Sequence, residues 1–469
     1  MEKGDIAGII DKLVIVPDTN VLLFLYKCSF NANQNIIDLL NKVKDKVVIP
    51  SRVYKEYMSH KDEEQAKIDR KYDNFTKNLK KQVTELKGKL GKSISESRKY
   101  EFPDCDVLET GINTFLDKTV QAITTYGNSL SSEKQNKNVQ QANVEQIIQF
   151  WRDNGRILDD ITIIRLLEYI QEGELRFKYK MPPGYMDEAE KDKEKEQGKD
   201  KETKRNNKED GFEIRIRKYG DLFIWKEILE IGKSLTEEEK IIFLTNDVKE
   251  DWWILQGEQD NKTPICMREE LKQEYVATTG NDRIEFLTLS QFYELFSDYY
   301  KICDIKTSLE LACQTYISEY ILSKYEEDIY SYIYEGIASI EWDDINPDFQ
   351  FVEEPEVGID RLNIKDILLH YDDDGETAFY DVELSAPTYP IYIEESLDGD
   401  SSLAARVELE LILSFQIQRD LRNLDEDAIS FRAFSYNELS YLDAWDLYLE
   451  TEAEVKAQLD DAMEDYYYH

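Results

Sequence analysis

The segment "LVIVPDTNVLLFLY", residues 13–26, constrains the fold more than any other part of the sequence. Four aliphatic residues, Leu13 to Val16, predict a short buried strand, and the residues after Thr19 predict the start of an apolar helix. The alternation continues with "KVVIP" as a strand and "SRVYKEYM" as a helix, for which Ser51 is a natural N-cap. Strands that alternate with helices favour a parallel sheet with helices on both faces, so we expect a three-layer α/β/α sandwich.

Later segments extend this pattern. "GDLFIWKEILEIG" (220–232) predicts a helix, "IIFLTNDVKEDWWIL" predicts a second strand, turn and helix, and "RIEFLTLSQFYELF" (283–296) predicts a closing strand and helix. Residues from about 61 to 156 are rich in Lys and Gln and show helical spacing, which predicts a helical hairpin or a pair of helices inserted in the sandwich. The mixed-charge run at about 187–212 predicts a mobile loop.

The last third of the chain has a different character. From about residue 341 the apolar residues alternate with a period of two between turn signals such as "DDDGE", which predicts a half-exposed antiparallel sheet. We therefore expect an α/β domain over 1–300, a connecting helix over 301–340 and an acidic α+β domain over 341–469.

Charge is distributed unevenly between these parts. Residues 341–469 hold 35 acidic against 7 basic residues, whereas residues 61–101 hold 12 basic against 8 acidic. The acidic domain would repel nucleic acid and is suited to a protein partner, and the basic stretch would attract nucleic acid. Either run by itself is more typical of a solvated surface.

Composition excludes several classes of protein. Five scattered cysteines without a CxxC pair argue for a reducing compartment and against a disulfide scaffold or zinc site, and three histidines supply few His-based triads. No apolar run approaches the roughly 18–20 residues of a membrane span, and the start "MEKGD" is not a signal peptide. We expect a cytoplasmic protein without a membrane contact.

Acidic residues recur at positions that should meet at one edge of the sheet. Asp18 and Asp247 each end a strand, Glu56 lies on the helix after the second strand, Asp221 opens a helix, and Asp251 lies one predicted helical turn beyond Asp247. Such carboxylates repel one another and tend to hold protons unless a cation compensates. Mg²⁺ or Mn²⁺ suits oxygen ligands of this kind and can activate water against a phosphate.

Each of these residues also has a simpler explanation. The simpler role for Asp18, Asp221 and Asp247 is that of helix N-cap residues. The simpler role for Glu56 is that of a solvent-exposed helix residue. Capping does not explain why two strands end in the same combination of aspartate, threonine and asparagine.

Basic and aromatic residues near these carboxylates leave alternatives open. Lys249 is placed to contact a phosphate, although such a lysine more often pairs with a nearby carboxylate. Trp225, Trp252 and Trp253 are candidates for stacking on bases, but tryptophans beside Ile and Leu at helical spacing are more often core residues. We expect core positions for Trp225 and Trp252.

Over roughly residues 8–300 the chain resembles the PIN-like nuclease superfamily. The resemblance rests on four blocks that occur in the order found in that family: "VPDTNVLL", "VVIPSRVYKEY", "YGDLFIWKEIL" and "FLTNDVKEDWW". The resemblance implies a Mg²⁺- or Mn²⁺-dependent nuclease acting on RNA or single-stranded DNA. It implies an acidic cluster with supporting polar residues around it. The catalytic and metal-binding residues would be Asp18, Glu56, Asp221 and Asp247, with Asp251 as a further metal ligand, and Asn20, Thr245, Asn246 and Asp187 would support them.

Asp187 belongs to the block "PPGYMD", which also looks like this branch of the family, and an ordinary loop position is the alternative. The resemblance further implies a bacterial toxin, RNA-processing or antiviral defence role. A competing hypothesis is a catalytically silent PIN-like protein that acts through its acidic C-terminal domain as a regulatory or protein-binding module. The nuclease and the binding-module hypotheses are both satisfied if the C-terminal domain restrains the nuclease. The sequence leaves open whether the protein forms a homo-oligomer.

Overall fold

The computed structural model divides the chain into two compact units, Met1–Leu255 with Pro264–Leu311, and Gln256–Thr263 with Ala312–His469. The described residues are 6–129, 131–186, 211–256, 262–313, 317–340, 342, 356–372, 374–397, 400–423, 427–443 and 446. The predicted charged loop at about 187–212 therefore lies outside them, except for its last two positions.

The strands before residue 300 are β1 (Leu13–Pro17), β2 (Lys240–Leu244), β3 (Trp253–Gln256), β4 (Thr263–Met267) and β5 (Ile284–Leu287). The helices of the same region are α1 (Ile6–Ile9), α2 (Thr19–Lys27), α3 (Phe30–Val43), α4 (Ser51–Lys99), α5 (Cys105–Ser129), α6 (Ser131–Asp153), α7 (Ile163–Lys178), α8 (Gly211–Ile216), α9 (Gly220–Ser234), α10 (Glu269–Thr279) and α11 (Leu289–Tyr300). This is the predicted α/β sandwich.

The central sheet is parallel and has the order β1-β2-β5. Bridges from Val47 to Ile15 and from Ile49 to Ile157 add parallel neighbours on the other side of β1. The segment "KVVIP" therefore forms two isolated bridges and not a full strand. The N–H of Val48 donates to the carbonyl of Ile15 on one side, whereas the N–H of Ile49 donates to the carbonyl of Arg156 on the other. From one edge of the sheet to the other, the segments are those at Ile157 and at Val47 to Ile49, then β1, β2 and β5. Along the chain they come third, second, first, fourth and fifth.

The predicted helix after β2 was wrong. Residues 245–252 form a loop and a turn, and β3 begins at Trp253 and pairs with β4. Both adjacent tryptophans are buried against Phe286, and Trp253 donates its Nε1–H to the carbonyl of Asp247, which closes the loop. Core positions are confirmed for Trp225 and Trp252, and Trp253 is equally buried.

The insertion is helical, as predicted, but it does not begin as a separate element. Helix α4 runs without interruption for 49 residues from Ser51, so one helix contains both the "SRVYKEYM" segment and the first half of the insertion. Helix α5 returns alongside it, and α6 packs against α3.

Among the described residues of the region 301–340, two helices are present where one connecting helix was expected. These are α12 (Ile305–Ala312) and α13 (Ile317–Ile337). Asn35 of α3 donates to the hydroxyl of Thr307 at 2.9 Å, and the Ser29 hydroxyl donates to Glu310 at 2.6 Å. These bonds attach α12 to the first unit, which ends at Leu311.

The second unit contains the predicted antiparallel sheet. Its strands are β6 (Asn363–Tyr371), β7 (Thr377–Pro387), β8 (Ile391–Leu397), β9 (Asp400–Asp420) and β10 (Asp427–Asp443). The order is β10-β9-β7-β6, and β8 pairs with β9. Alternate side chains of β9 from Ala405 to Ile417 are buried, and α13 packs on β10. Among the described residues no helix is both long and apolar enough to cross a membrane.

Candidate active site

The carboxyl ends of β1 and β2 lie side by side at the point where the strand order of the sheet reverses. Open α/β sheets bind their ligands in the crevice outside such a point. Pro17 pairs with Leu244 at the last position of both strands, and the N–H of Asp18 donates to the carbonyl of Leu244 at 2.8 Å. Asp18 and Thr245 are therefore neighbours.

Asp18 is held by three donors. Its Oδ1 atom accepts the N–H of Thr19 at 2.6 Å, which makes Asp18 the N-cap residue of α2. Its Oδ2 atom accepts the Nδ2–H of Asn20 at 2.6 Å and the hydroxyl of Thr245 at 2.8 Å. Capping thus explains one carboxylate oxygen, and the other is tied to the end of β2.

The two asparagines connect the ends of three strands. Asn20 accepts the N–H of Asn246 on its Oδ1 atom at 3.0 Å, and Asn246 accepts the N–H of Leu289 on its own Oδ1 atom at 2.9 Å. Leu289 begins the helix that follows β5. The asparagines therefore brace the polypeptide around the carboxylates.

The electrostatic environment of Asp18 disfavours its charged form. Burial, followed by the nearby carboxylates of Asp247 and Glu56, raises the pKa of Asp18 to about 7, although hydrogen bonds from Thr245 and Thr19 lower it. Three of the predicted acidic residues, distant in sequence, thus interact at one place. Near neutral pH this carboxylate is stabilised either by binding a proton or by a nearby cation.

Glu56 lies in the second turn of α4 and faces the same crevice. Its Oε2 atom accepts the hydroxyl of Thr19 at 3.0 Å, and its Oε1 atom accepts the Nε–H of Arg52 at 2.8 Å. The side chain of Arg52 is only 8% exposed. Glu56 is therefore fixed on both oxygens, and it is not the solvated helix residue of the simpler explanation.

Asp221 lies in the first turn of α9, and its Oδ2 atom accepts the Nε1–H of Trp252 at 3.2 Å. Two glycines make close approaches here. A Cβ added at Gly220 would lie 2.6 Å from Oε1 of Glu56, and one added at Gly184, where φ is +89°, would lie 3.1 Å from Cβ of Asp221. The start of α9 thus adjoins Glu56.

Asp247 lies in the loop after β2. Its N–H donates to the hydroxyl oxygen of Thr245 at 3.1 Å, and its carboxylate pairs with Nζ of Lys249 at 3.4 Å. Because no helix follows, Asp247 caps nothing. The contact between Lys249 and a phosphate stays a prediction.

Asp251 is not one helical turn from Asp247, because this part of the chain is not helical. It is fully buried, and its Oδ2 atom accepts the N–H groups of Gly184 and Met186 at 2.9 and 3.2 Å. Burial raises its pKa, and its Oδ1 atom has no hydrogen-bond partner among the described residues. Asp251 fastens the Gly184 loop against Asp221. Asp187 lies outside the described residues.

A family model described as "PIN like domain" matches residues 14–271, just over half of the chain. The chain belongs to the PIN-like domain family. No curated protein and no solved structure matches it significantly. PIN-like domains are generally nucleases and typically use divalent metal ions, so membership supports nuclease chemistry at the crevice of this PIN-like domain.

Within the described part of the chain, no three Asp, Glu, His or Cys side chains are close enough to hold one ion together. The donor chemistry of the PIN-like domain nevertheless fits a hard cation, because Asp18 is a buried carboxylate destabilised by Asp247 and Glu56. Mg²⁺ usually binds through one or two carboxylates, several waters and the phosphates of the substrate. Asp18 and Asp247 are the two carboxylates that would hold such an ion.

Sequence reasoning missed two residues that position the site in this PIN-like domain. Arg52 lies four residues before Glu56, and this spacing on a helix was a usable signal for the ion pair. Glu227 of α9 is buried and accepts the N–H groups of Ser51 and Arg52 at 2.8 and 3.1 Å, which anchors the start of α4. Nothing in the sequence distinguishes Glu227 from the other acidic residues.

Proposed function

We propose that this PIN-like protein is a metal-dependent nuclease that hydrolyses phosphodiester bonds in RNA or single-stranded DNA. The observation that supports this best is the buried carboxylate of Asp18, held by Asn20 and Thr245 in the field of two further carboxylates. Such a crevice repels a phosphate by itself and attracts a divalent cation, which in turn attracts the phosphate.

Asp18 and Asp247 would hold Mg²⁺ or Mn²⁺, with Glu56 and Asp221 beside them. When bound, such an ion would supply Lewis acidity, which favours activation of water and offsets negative charge on the scissile phosphate. The chain contributes rigidity, since Thr19, Asn20 and Thr245 prevent Asp18 from turning. Glu56, fixed between Thr19 and Arg52, is the candidate acceptor for the proton of the attacking water.

The biological setting follows the family resemblance: a toxin or antiviral defence nuclease. The competing function is a catalytically silent module that binds a protein partner through residues 341–469, and their 35 acidic against 7 basic residues favour it. Metal binding and cleavage distinguish the two functions.

The test uses the full chain with single-stranded RNA and DNA of one sequence in Mn²⁺ or Mg²⁺. The variants are Asp18→Asn and Asp247→Asn, and the matched control is Asp298→Asn, whose side chain is 52% exposed on α11. We expect the two site variants to lose activity by at least about 100-fold and the control to keep it. Equal cleavage by all four proteins would contradict the proposal.

Metal binding gives an independent measurement. A ligand that binds only the folded state increases the free energy of unfolding, by about 2.7 kcal/mol at a ligand concentration of 100 times its Kd. The melting temperature rises as a result. Mn²⁺ should therefore stabilise the wild type and the control, and it should stabilise Asp18→Asn less. If Mn²⁺ changes no melting temperature and no cleavage is found, the silent module is the better explanation.

A further inference from the structure

Helix α4 begins at the crevice and continues far beyond it. From Glu56 to its end at Lys99 it extends about 64 Å at 1.5 Å per residue. Successive residues are rotated by about 100° around the axis, so the side on which a residue lies relative to Glu56 follows from its separation in sequence. Lys92 lies about ten full turns beyond Glu56 and therefore on the same side of the helix.

Basic residues are concentrated on this side of α4. We define the basic face as the basic residues beyond Glu56 that lie within about 60° of it around the axis and whose side chains the structure describes. The same sector contains three acidic residues, and the rest of the circumference contains four basic and three acidic residues with described side chains. The seven members of the basic face are Lys67, Arg70, Lys77, Lys81, Lys89, Lys92 and Lys99.

The basic face is exposed to solvent along its whole length. Three of its members pair with a glutamate of the same helix at 2.9–3.9 Å, and their side chains are 50–81% exposed. Solvent screens exposed pairs of this kind, so they hold the lysines weakly. Arg70, Lys77 and Lys89 have no carboxylate partner among the described residues. The face therefore keeps a positive charge that is open to a ligand.

The opposite side of α4 packs toward α5. Leu86 and Leu90 lie about 120° and 160° around the axis from Glu56, and they line an apolar groove against α5. Lys87, at about 140°, pairs with Asp117 of α5 at 2.9 Å. The packing of α5 thus fixes the orientation of the far part of α4, with its apolar side toward α5 and its basic face away from it.

Two basic side chains of the crevice are already paired with its carboxylates. Arg52 binds Glu56 at 2.8 Å, and Lys249 pairs with Asp247 at 3.4 Å. A metal ion in the crevice would hold the scissile phosphate and leave the neighbouring nucleotides without a partner. The whole chain has a net charge of −40, which repels nucleic acid. A long substrate therefore needs a positive surface beside the crevice.

We propose that the basic face of α4 binds one strand of nucleic acid whose scissile phosphate lies in the crevice. The inference rests on the proposed nuclease function, because it is the alignment with Glu56 that favours a nucleic acid over an acidic protein segment. Lysine and arginine contacts of this kind go to phosphates, which position a strand without reading its sequence. The face would therefore favour long substrates and be indifferent to their sequence.

The length of the face sets the length of the substrate. Lys81 and Lys92 lie about 38 and 54 Å from Glu56 along the axis. A strand with stacked bases advances about 3.4 Å per nucleotide, so about 11 nucleotides reach Lys81 and about 16 reach Lys92. A substrate of about 6 nucleotides would bind at the crevice alone.

The test is binding of fluorescein-labelled single-stranded RNA of about 30 nucleotides, and of a fragment of about 6 nucleotides, measured by anisotropy with the full chain in EDTA. EDTA removes divalent ions, so binding is measured without cleavage. The α4 variant combines Lys77→Gln, Lys81→Gln and Lys92→Gln. The matched control removes the same charge from exposed positions outside α4, with Lys42→Gln, Lys272→Gln and Lys301→Gln.

We expect the wild type and the control to bind the long RNA at least tenfold more tightly than the short one. The α4 variant should lose at least tenfold in affinity for the long RNA and should bind the short one as the wild type does. Each phosphate contact to a single strand adds about 0.7 to the slope of log K against log salt concentration, so three lost contacts should reduce that slope by about 2.

Three outcomes would overturn the proposal: equal affinity of the α4 variant and the control for the long RNA, equal affinity of the wild type for both RNAs, or displacement of the RNA by polyglutamate of about 30 residues as effectively as by unlabelled RNA. The last would identify an acidic protein segment as the partner. The nuclease proposal fails separately. If binding depends on α4 but Mn²⁺ supports no cleavage, the binding surface stands without the nuclease; if cleavage occurs and the α4 variant keeps the wild-type KM for the long RNA, the nuclease stands without the surface.

Discussion

Thr245 donates its hydroxyl proton to Oδ2 of Asp18 across 2.8 Å, although the two residues lie 227 positions apart in the chain. The same hydroxyl oxygen accepts the N–H of Asp247 at 3.1 Å. One fully buried side chain therefore holds two of the proposed metal ligands in relation to each other.

Replacing Thr245 with valine should destabilise the first unit, since it leaves the buried acceptor of Asp18 and the N–H of Asp247 without this partner. Loss of a buried hydrogen bond of this kind costs about 1–3 kcal/mol. Urea unfolding followed by tryptophan fluorescence measures the effect. Thr245→Ser keeps the hydroxyl and should stay near the wild type; if serine lowers stability as much as valine does, loss of the hydroxyl bonds does not explain the effect.

Gly220→Ala should lower nuclease activity while changing stability little. The new Cβ would lie 2.6 Å from Oε1 at the far end of the Glu56 side chain, so the carboxylate must move away from Thr19 and Arg52. A displacement of about 1 Å in a catalytic group can cost about 100-fold in rate. Cleavage assays and thermal melts of Gly220→Ala are compared with Gly91→Ala, where nothing lies within 4 Å. Full activity in Gly220→Ala would exclude a catalytic role for the present position of Glu56.

Asp427→Asn should destabilise the second unit by about 3–5 kcal/mol at pH 7, because it breaks a buried charge network. The Asp427 side chain is 1% exposed and accepts hydrogen bonds from Arg419 at 2.7 Å and Lys324 at 2.6 Å. Calorimetry of the full chain measures the change. Asp366→Asn, at an exposed position of β6, is the control and should leave the transition unchanged.

The same variant makes a prediction about pH. Burial would raise the pKa of Asp427, but hydrogen bonds from Arg419, Lys324 and Tyr325 hold it well below its usual range. The stabilisation is therefore complete above the unfolded pKa of about 3.8 and is lost as pH falls from there towards the folded value. The gap between wild type and Asp427→Asn should narrow below about pH 4. A gap that widens on acidification would show that the network does not depend on the carboxylate.

Gly336→Ala should destabilise the contact between α13 and β10. An added Cβ would lie 2.2 Å from the ring of Phe434, so a rigid aromatic group must move, and overpacking of this kind costs about 1–3 kcal/mol. The double variant with Phe434→Leu tests the cause, since the smaller side chain should recover part of the loss in a mutant cycle. Additive effects in thermal melts would contradict the steric explanation.

The sequence was sufficient for β1, β2 and β5 and their carboxyl ends and insufficient for what surrounds them. Asp18 and Thr245 could be placed together because each follows an apolar run and parallel strands end at one edge of a sheet. The Trp252–Trp253 pair was misread as helical, although aromatic residues followed by Ile and Leu also favour a strand. Burial against Phe286, a contact between distant segments, decided the outcome.

Close approaches between segments were beyond sequence reasoning altogether. Gly184 and Gly220 leave room for side chains of other elements that lie against their backbone. Glu227 anchors α4 because that helix begins beside it. Nothing local marks such residues, since their roles arise from tertiary packing alone.

The uninterrupted course of α4 has a consequence for how this architecture tolerates change. Glu56 sits in the second turn of a helix that continues about 64 Å further to Lys99. Paired turns can be deleted from α4 and α5 near their connecting bend without moving any atom at the crevice, so the reach of the molecule and its chemistry are free to vary independently.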